Sequence, residues 1–326
     1  MCGCPPAPSV AGMTITSLRT TCLLAVMAAF GIVAAPAGAT YPGHNGRLAF
    51  WAVTNDGTAQ IFTVQANGSD LRQITHVTDG DAGQPDFSPD GSQIVFNVGR
   101  DTGEPFCSVE LMSSSGGPIT DLTGDRNGCE GDASFTPDGQ RVVFERYDDV
   151  TNVDAMWSMD LTGGDRRQIT TGTAGITDPN VSPDGRTVSY VDFDGIDQDQ
   201  ALATVGIDGG SSTQLVPFSS DVAIKQDWSP DGSRIVFTDN ADNFDHPANI
   251  ATIRPDRTGL RYLTDLRRTD TRAYVGGYSP DGNWIVFRFE DHGLYSLQRM
   301  RSTGGPWHTI VPPSTFRPRG TDWGTR

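Results

Sequence analysis

The sequence predicts an all-β fold: a six-bladed β-propeller of four-stranded antiparallel blades, its ring closed by the C-terminal strand. Three observations predict it. The phrase "DFSPDGSQIVF" at residues 86–96 returns as "SFTPDGQRVVF", "NVSPDGRTVSY", "DWSPDGSRIVF" and "GYSPDGNWIVF", with Gly91, Gly139, Gly185, Gly232 and Gly282 spaced by 48, 46, 47 and 50 residues. Periods of about 40–50 residues mark propeller-type arrays. A second glycine turn leads into a short strand-like run six times, as "NGSDLRQIT", "GGPITDLT", "GGDRRQIT", "GGSSTQLV", "TGLRYLT" and "GGPWHTIV". No window beyond the N-terminal leader sustains a 3.6-residue apolar period, so few helices are expected.

The elements follow in chain order. Residues 1–39 read as a leader, a signal peptide starting at Met13: Arg19 is the positive flank, an apolar stretch runs from about Leu23 to Ala35, and Ala37-Gly38-Ala39 is an A-x-A cleavage pattern. The alternative is an uncleaved anchor, although the stretch is short for a membrane span. Residues 40–326 then form one propeller domain. Within one repeat the strands are expected near Gln84–Ser88, Gln93–Val98, Ser108–Ser113 and Pro118–Leu122.

The "SPDG" turn is a hairpin device. Proline presets φ for the first corner of a type I turn, Asp tolerates the next, and glycine accepts the positive φ that returns the chain. Ser88 can cap the turn, and Ile94 with Phe96 should share one buried face. The ends complement each other. "HNGRLAF", with Gly46, opens the domain at a second strand, and "TDWGTR", with Trp323, closes it at a first strand. Asp322–Gly324 pairing beside Arg47–Ala52 would complete a composite blade and remove exposed edges.

Forty Asp plus Glu against 24 Lys plus Arg give a net charge of −16, which repels phosphate backbones; no nucleic-acid binding is expected. Cleavage of the leader removes Cys2, Cys4 and Cys22 and leaves Cys107 and Cys129. An even pair in an oxidising compartment reads as a disulfide, with a free buried thiol as the alternative.

The "SPDG…IVF" phrase followed by a glycine turn and "LRQIT" resembles the propeller repeat of TolB, the periplasmic Tol–Pal protein, and related WD-like repeats of secreted bacterial proteins and peptidase propellers. The resemblance covers residues 44–326 and implies the fold, a periplasmic or secreted location in the cell envelope, and docking of a protein at one mouth. Two departures stand out. TolB carries an α/β domain before its propeller, for which Thr40–Gly46 leaves no room. The peptidase relatives carry an α/β-hydrolase domain, and this chain has no G-x-S-x-G elbow.

The loops after each second strand form an acidic series: "NVGRDTGEPF", "ERYDDVTNVD", "VDFDGIDQDQ", "TDNADNFDHP" and "RFEDHG". Asp149, Asp154, Asp194, Asp197, Asp242, Asp245, His246 and His292 are therefore the candidate binding residues of one loop face. They would receive a cation, a cationic peptide or a sugar; equally, Asp and Asn suit solvated turns. "DFDGIDQDQ" offers hard oxygens for Ca²⁺ but not the EF-hand spacing, so no cofactor is expected, with a Ca²⁺ site as the alternative. Arg267, Arg268 and Arg272 in "LRRTDTR" would pair with the acidic rim or meet an anionic partner. No nucleophile–base grouping, phosphate loop or metal cluster stands out. The expected function is an exported, monomeric, non-catalytic scaffold that binds a protein or envelope component, with no membrane span after cleavage. The alternative is a propeller enzyme, a carbohydrate lyase or hydrolase, with a scattered site on the loop face.

Overall fold

The computed structural model describes residues 41–326 apart from 102–104, 125–127, 149, 152, 173–174, 196–198, 221, 224 and 240–245. The expected leader, residues 1–39, lies outside the described residues. Within them the chain is an all-β propeller, and the single helical element is a 3-10 turn at Phe218–Ser220. No helix among the described residues is long and apolar enough to cross a membrane.

Four sheets have four strands each. One combines β1 (Asn45–Val53), β2 (Ala59–Gln65) and β3 (Arg72–Gln73) with the last strand, β24 (Arg319–Thr325), in the order β24-β1-β2-β3. The second holds β12 (Ile176–Val181), β13 (Thr187–Phe193), β14 (Gln200–Gly206) and β15 (Thr213–Val216). The third holds β16 (Gln226–Trp228), β17 (Ile235–Asp239), β18 (Asn249–Ile253) and β19 (Arg261–Tyr262). The fourth holds β20 (Thr271–Tyr278), β21 (Trp284–Asp291), β22 (Leu294–Arg301) and β23 (His308–Ser314). The remaining sheet has eight strands in two antiparallel meanders. One is β4 (Asp81–Phe87), β5 (Gln93–Asp101), β6 (Pro105–Ser113) and β7 (Thr120–Asp121); the other is β8 (Cys129–Phe135), β9 (Arg141–Asp148), β10 (Val153–Asp160) and β11 (Arg167–Gln168). The meanders meet at one parallel bridge, Cys107 opposite Cys129.

The C-terminal strand pairs with the first, Leu48 opposite Trp323 and Ala49 opposite Asp322. Innermost strands touch in cyclic order: β24 with β4, β4 with β8, β8 with β12, β12 with β16, β16 with β20 and β20 with β24.

The hairpin device works as its chemistry requires. Ser88 donates its hydroxyl to Asp90 at 2.6 Å and accepts from the Gln93 N–H at 2.9 Å, while Gly91 sits at φ 69°. Ser182–Asp184 and Ser229–Asp231 repeat the bond at 2.7 and 2.6 Å. The run after the turn is buried on both faces, not one: Ile94, Val95 and Phe96 are all fully buried. Ile94 and Phe96 pack toward β1 and β2 with Ala49 and Ile61, whereas Val95 packs toward β8 and β9 with Phe135 and Phe144. A sheet covered by neighbours on both sides reads as a continuous apolar run, as buried parallel strands do.

The residue two before each "SPDG" serine-proline step has a role that the repeat alone does not reveal. The Asp86 carboxylate accepts the Phe135 N–H of the next inner strand at 2.9 Å, Asp227 accepts from Tyr278 at 2.7 Å, and Asp322 accepts from Phe87 at 2.9 Å. At the equivalent position Ser134 donates to the Pro179 carbonyl at 2.7 Å. Four inner strands are thereby stapled to their successors, whereas Gly277, at the equivalent place in β20, has no side chain to do so.

Cys107 and Cys129 form a disulfide. Cys129 opens β8, not the preceding loop, because β8 begins where its backbone bridges Cys107. Closing a loop with a separation of 22 residues contributes roughly 3 kcal/mol in the chain-entropy model. Full reduction is expected to lower the thermal midpoint by roughly 5–10 °C. Calorimetry with and without dithiothreitol checks this, and coincident transitions would refute it.

Candidate functional site

Inner strands carry a recurrent β-bulge, with register shifts at Gly83/Asp86, Gly131/Ser134, Thr177/Asn180 and Val275/Gly277. A bulge inserts a residue and re-aims its side chain. Gln84, Asp132 and Asp178 take φ of 48°, 48° and 50° there, and Gly320 takes 51° in β24. Of these, Gln84 and Gly320 line one cavity together with Lys225. At Gly320 a Cβ would sit 2.1 Å from the Gln84 Oε1, which accepts the Trp51 indole N–H at 3.1 Å, so a larger residue would have to displace the Gln84 amide and adopt a positive φ.

Lys225, just before β16, is the only lysine of the chain. Its ammonium lies 3.5 Å from Asp178, and its charge is also felt by Asp86, Asp227 and Asp322. Burial nevertheless raises the Asp178 carboxyl to about 6 and pushes Asp86 well above the usual carboxylate range, with Asp322 adding repulsion. One cation thus serves a ring of buried acids.

Beside it opens a cavity of about 340 Å³ lined by Lys225, Trp51, Gln84 and Tyr274 together with Arg288, Arg317 and Arg319. Arg288, in β21, stacks its guanidinium 4.1 Å from the Tyr274 ring centre; Arg317 lies 4.8 Å from Tyr295 and Arg319 4.9 Å from Trp51. Arg288 is 9% exposed, and burial followed by repulsion from Arg317 pulls it down to about 10. Arg317 faces Glu290 at 3.7 Å, whereas no described carboxylate pairs with Arg288 or Arg319. Arg317 precedes β24, Lys225 precedes β16, and Arg288 lies in the half of β21 that runs toward His292. The cavity therefore opens on the face of the loops that follow the second strands, opposite the "SPDG" turns.

A second group of buried acids surrounds Glu145. The Glu145 carboxyl is raised well above its ordinary value by burial and then by Asp132 and Asp154; it hydrogen-bonds Thr177 and Asp154. Asp154 is raised to about 6, chiefly by burial, and accepts the Ile176 N–H at 3.2 Å. Thr177 also donates to Asp132.

Of the sequence-predicted site residues, Asp149, Asp197, Asp242 and Asp245 lie outside the described residues. Asp154 is not in a loop: β9 extends to Asp148, so the hairpin is shorter and Asp154 falls within β10. Asp194 follows β13, its N–H donating to the Asp199 carbonyl at 3.2 Å, and His246 is exposed before β18. His292 sits at φ 50° between β21 and β22, 2.7 Å from Asp291 and 3.2 Å from Asp270. Those three side chains lie within metal-ligand spacing, but the Arg268 guanidinium, 3.0 Å from the His292 Nε2, occupies the cationic place among them. Arg267 pairs with Asp265 and Arg268 with Asp270, which resolves two of the three "LRRTDTR" arginines into surface ion pairs.

The reading of the sequence missed Lys225, Arg288, Arg317 and Arg319. Two signals pointed to them: a single lysine in 326 residues, and an arginine inside the apolar run "IVFRF".

The family model of the TolB beta propeller domain, PD40, matches residues 8–221. A comparison with curated proteins gives no match. Among solved structures, TolB from Acinetobacter baumannii superposes with a TM-score of 0.70 at 18% identity, covering 87% of this chain and 68% of that one. A protein assigned as TolB from Agrobacterium tumefaciens gives 0.61 at 19%, covering 82% and 88%. A chain of a nidogen/laminin complex gives 0.64 at 15%, covering 86% and 98%. At these identities the structural likeness is one of fold. With the family model spanning well over half of its length, the chain belongs to the TolB β-propeller domain family.

Proposed function

We propose that this chain is an exported, non-catalytic, six-bladed propeller that acts as a binding scaffold in the cell envelope or outside the cell, engaging its partner at the channel mouth on the loop face. The six-blade count takes the eight-stranded sheet as two blades joined at Cys107 and Cys129. Support comes from the cyclic succession of inner strands and from the apolar clusters between successive meanders. Export is supported by the disulfide, which persists in oxidising compartments. The observation that carries the binding role is the channel mouth, where the buried Arg288 and the half-exposed Arg319, neither with a carboxylate partner among the described residues, line an open cavity in an acidic protein. The acidic loop face, with Asp194, His246 and His292, forms its rim.

The test is capture of envelope components on immobilised protein. Replacing Arg319 at the mouth should abolish capture, and replacing Asp138 in the opposite turns should not. Capture that survives the first change and fails with the second would place the docking face on the wrong side.

The enzyme alternative has one observation in its favour, the coupled Glu145–Asp154 carboxyls, because paired carboxyls held apart in pKa suit general acid–base work. Loss of a measurable hydrolase or lyase activity in Glu145→Gln would move the assignment there.

A further inference from the structure

The structure assigns the cavity between Arg288, Arg317 and Arg319 to a small doubly charged oxyanion, a phosphate-type or dicarboxylate ligand, held by guanidinium edges. This rests on the reading of the channel mouth as a binding site and gives that site its ligand chemistry.

Three observations carry it. First, the cations are uncompensated. Arg288 is nine-tenths buried, yet no carboxylate, carbonyl or hydroxyl among the described residues pairs with it, and its Nε–H has no acceptor; the Arg317 Nε–H has none either. A buried charge without a partner is costly, and proteins keep such groups where function requires them. Second, the tyrosine and tryptophan rings hold the faces of the three guanidiniums. Stacking fixes each plane and leaves its N–H edges free, which is the geometry that recognises oxyanions bidentately. Third, charge and size agree. Arg288 and Arg319 are unneutralised, and Arg317 shares Glu290, so about two negative charges are called for. A volume of about 340 Å³ is at the small end of ligand sites.

Lys225 completes the wall but is committed to the acids of the channel. It is not one of the proposed ligand donors.

The experiment is calorimetric titration of the intact protein with inorganic phosphate in one arm and malonate in the other, at constant ionic strength, with the thermal midpoint followed in parallel. Saturable heat and a raised midpoint with phosphate alone assign a phosphate head group; with malonate alone, a dicarboxylate; with both, either. Arg288→Gln should weaken the interaction by more than about tenfold while raising the midpoint of the ligand-free protein. The half-exposed Arg319→Gln should weaken it as well and guards against a folding defect in the first variant. Arg267→Gln removes the same charge from an exposed ion pair and should change nothing. No saturable heat in either arm, or heat undiminished in both Arg288→Gln and Arg319→Gln, would overturn the assignment. Either result leaves protein capture at the loop face untouched, so the two readings fail separately.

Discussion

Removal of residues 318–326 is expected to lower the thermal midpoint more than any single substitution in the protein, or to prevent cooperative folding altogether. β24 supplies the inner strand of the first sheet, and without it β1 becomes an unpaired inner edge. The deletion also withdraws Trp323, 2% exposed, from the cluster it shares with Leu48, Phe50, Val286 and Leu297. That cluster joins the last sheet to the first. The Asp322 carboxylate that accepts the Phe87 N–H goes with it. Trp323→Ala alone should cost about 3–5 kcal/mol, or roughly 10 °C in a domain of this size. Trp323→Phe should cost much less, because the indole N–H has no partner to lose. Differential scanning calorimetry on the three proteins decides it. An unchanged midpoint in the deletion would mean that the ring does not depend on its latch.

Lys225→Met is expected to destabilise the protein by about 3–5 kcal/mol near pH 7.5, the usual cost of breaking a buried ion pair from one side, with much of the loss recovered at pH 4.5. Lys225 is the cation that holds down Asp86, Asp178 and Asp322. Without it their carboxyl groups rise further, and ionising them in the channel opposes folding. The wild type should show a weaker form of the same slope. Asp178, raised to about 6 from 3.8, contributes stability that is fully present below its unfolded value and lost as pH rises through about 6. That is about 3 kcal/mol. Glu145, Asp154 and Asp322 shift in the same direction. The hairpin carboxylates act oppositely. Ser88 holds Asp90 low and Ser182 holds Asp184 low, so their stabilisation is present above 3.8 and fades as pH falls below it. Maximum stability is therefore expected at about pH 4–5. Glu145→Gln should raise the midpoint at pH 7.5 and leave it unchanged at pH 4.5. Midpoints across pH 3.5–8 test the set, and a wild-type curve rising from pH 5 to 7.5 would contradict it.

How much of this was legible in the chain differs from element to element. The four "SPDG" turns, the "TPDG" turn at 136–139 and the six glycine turns announced strands, hairpins and period, because turn chemistry is local and each corner needs its own residue type. Cys107 and Cys129 were legible as a pair. Asp154 was placed in a loop because strand ends carry no sharp sequence signal; β9 runs to Asp148 on backbone pairing alone. The inner-strand bulges were invisible. Gln84, Asp132 and Asp178 fall at one place in three repeats, ahead of Gly91, Gly139 and Gly185, but none is the glycine that would announce a positive φ, so nothing local distinguishes them from ordinary strand residues.

The sequence by itself determined that this protein is a ring of short sheets built from one repeated hairpin, because each hairpin is specified within a dozen residues of its own glycine. Only the tertiary structure decided what stands in the channel. Lys225 before β16, Arg288 in β21 and Arg319 in β24 are far apart in the chain, and they meet because β16, β20 and β24 pack in succession and β21 packs against β24. Their charge acquires meaning from burial, which is a property of the assembled ring and of no single segment.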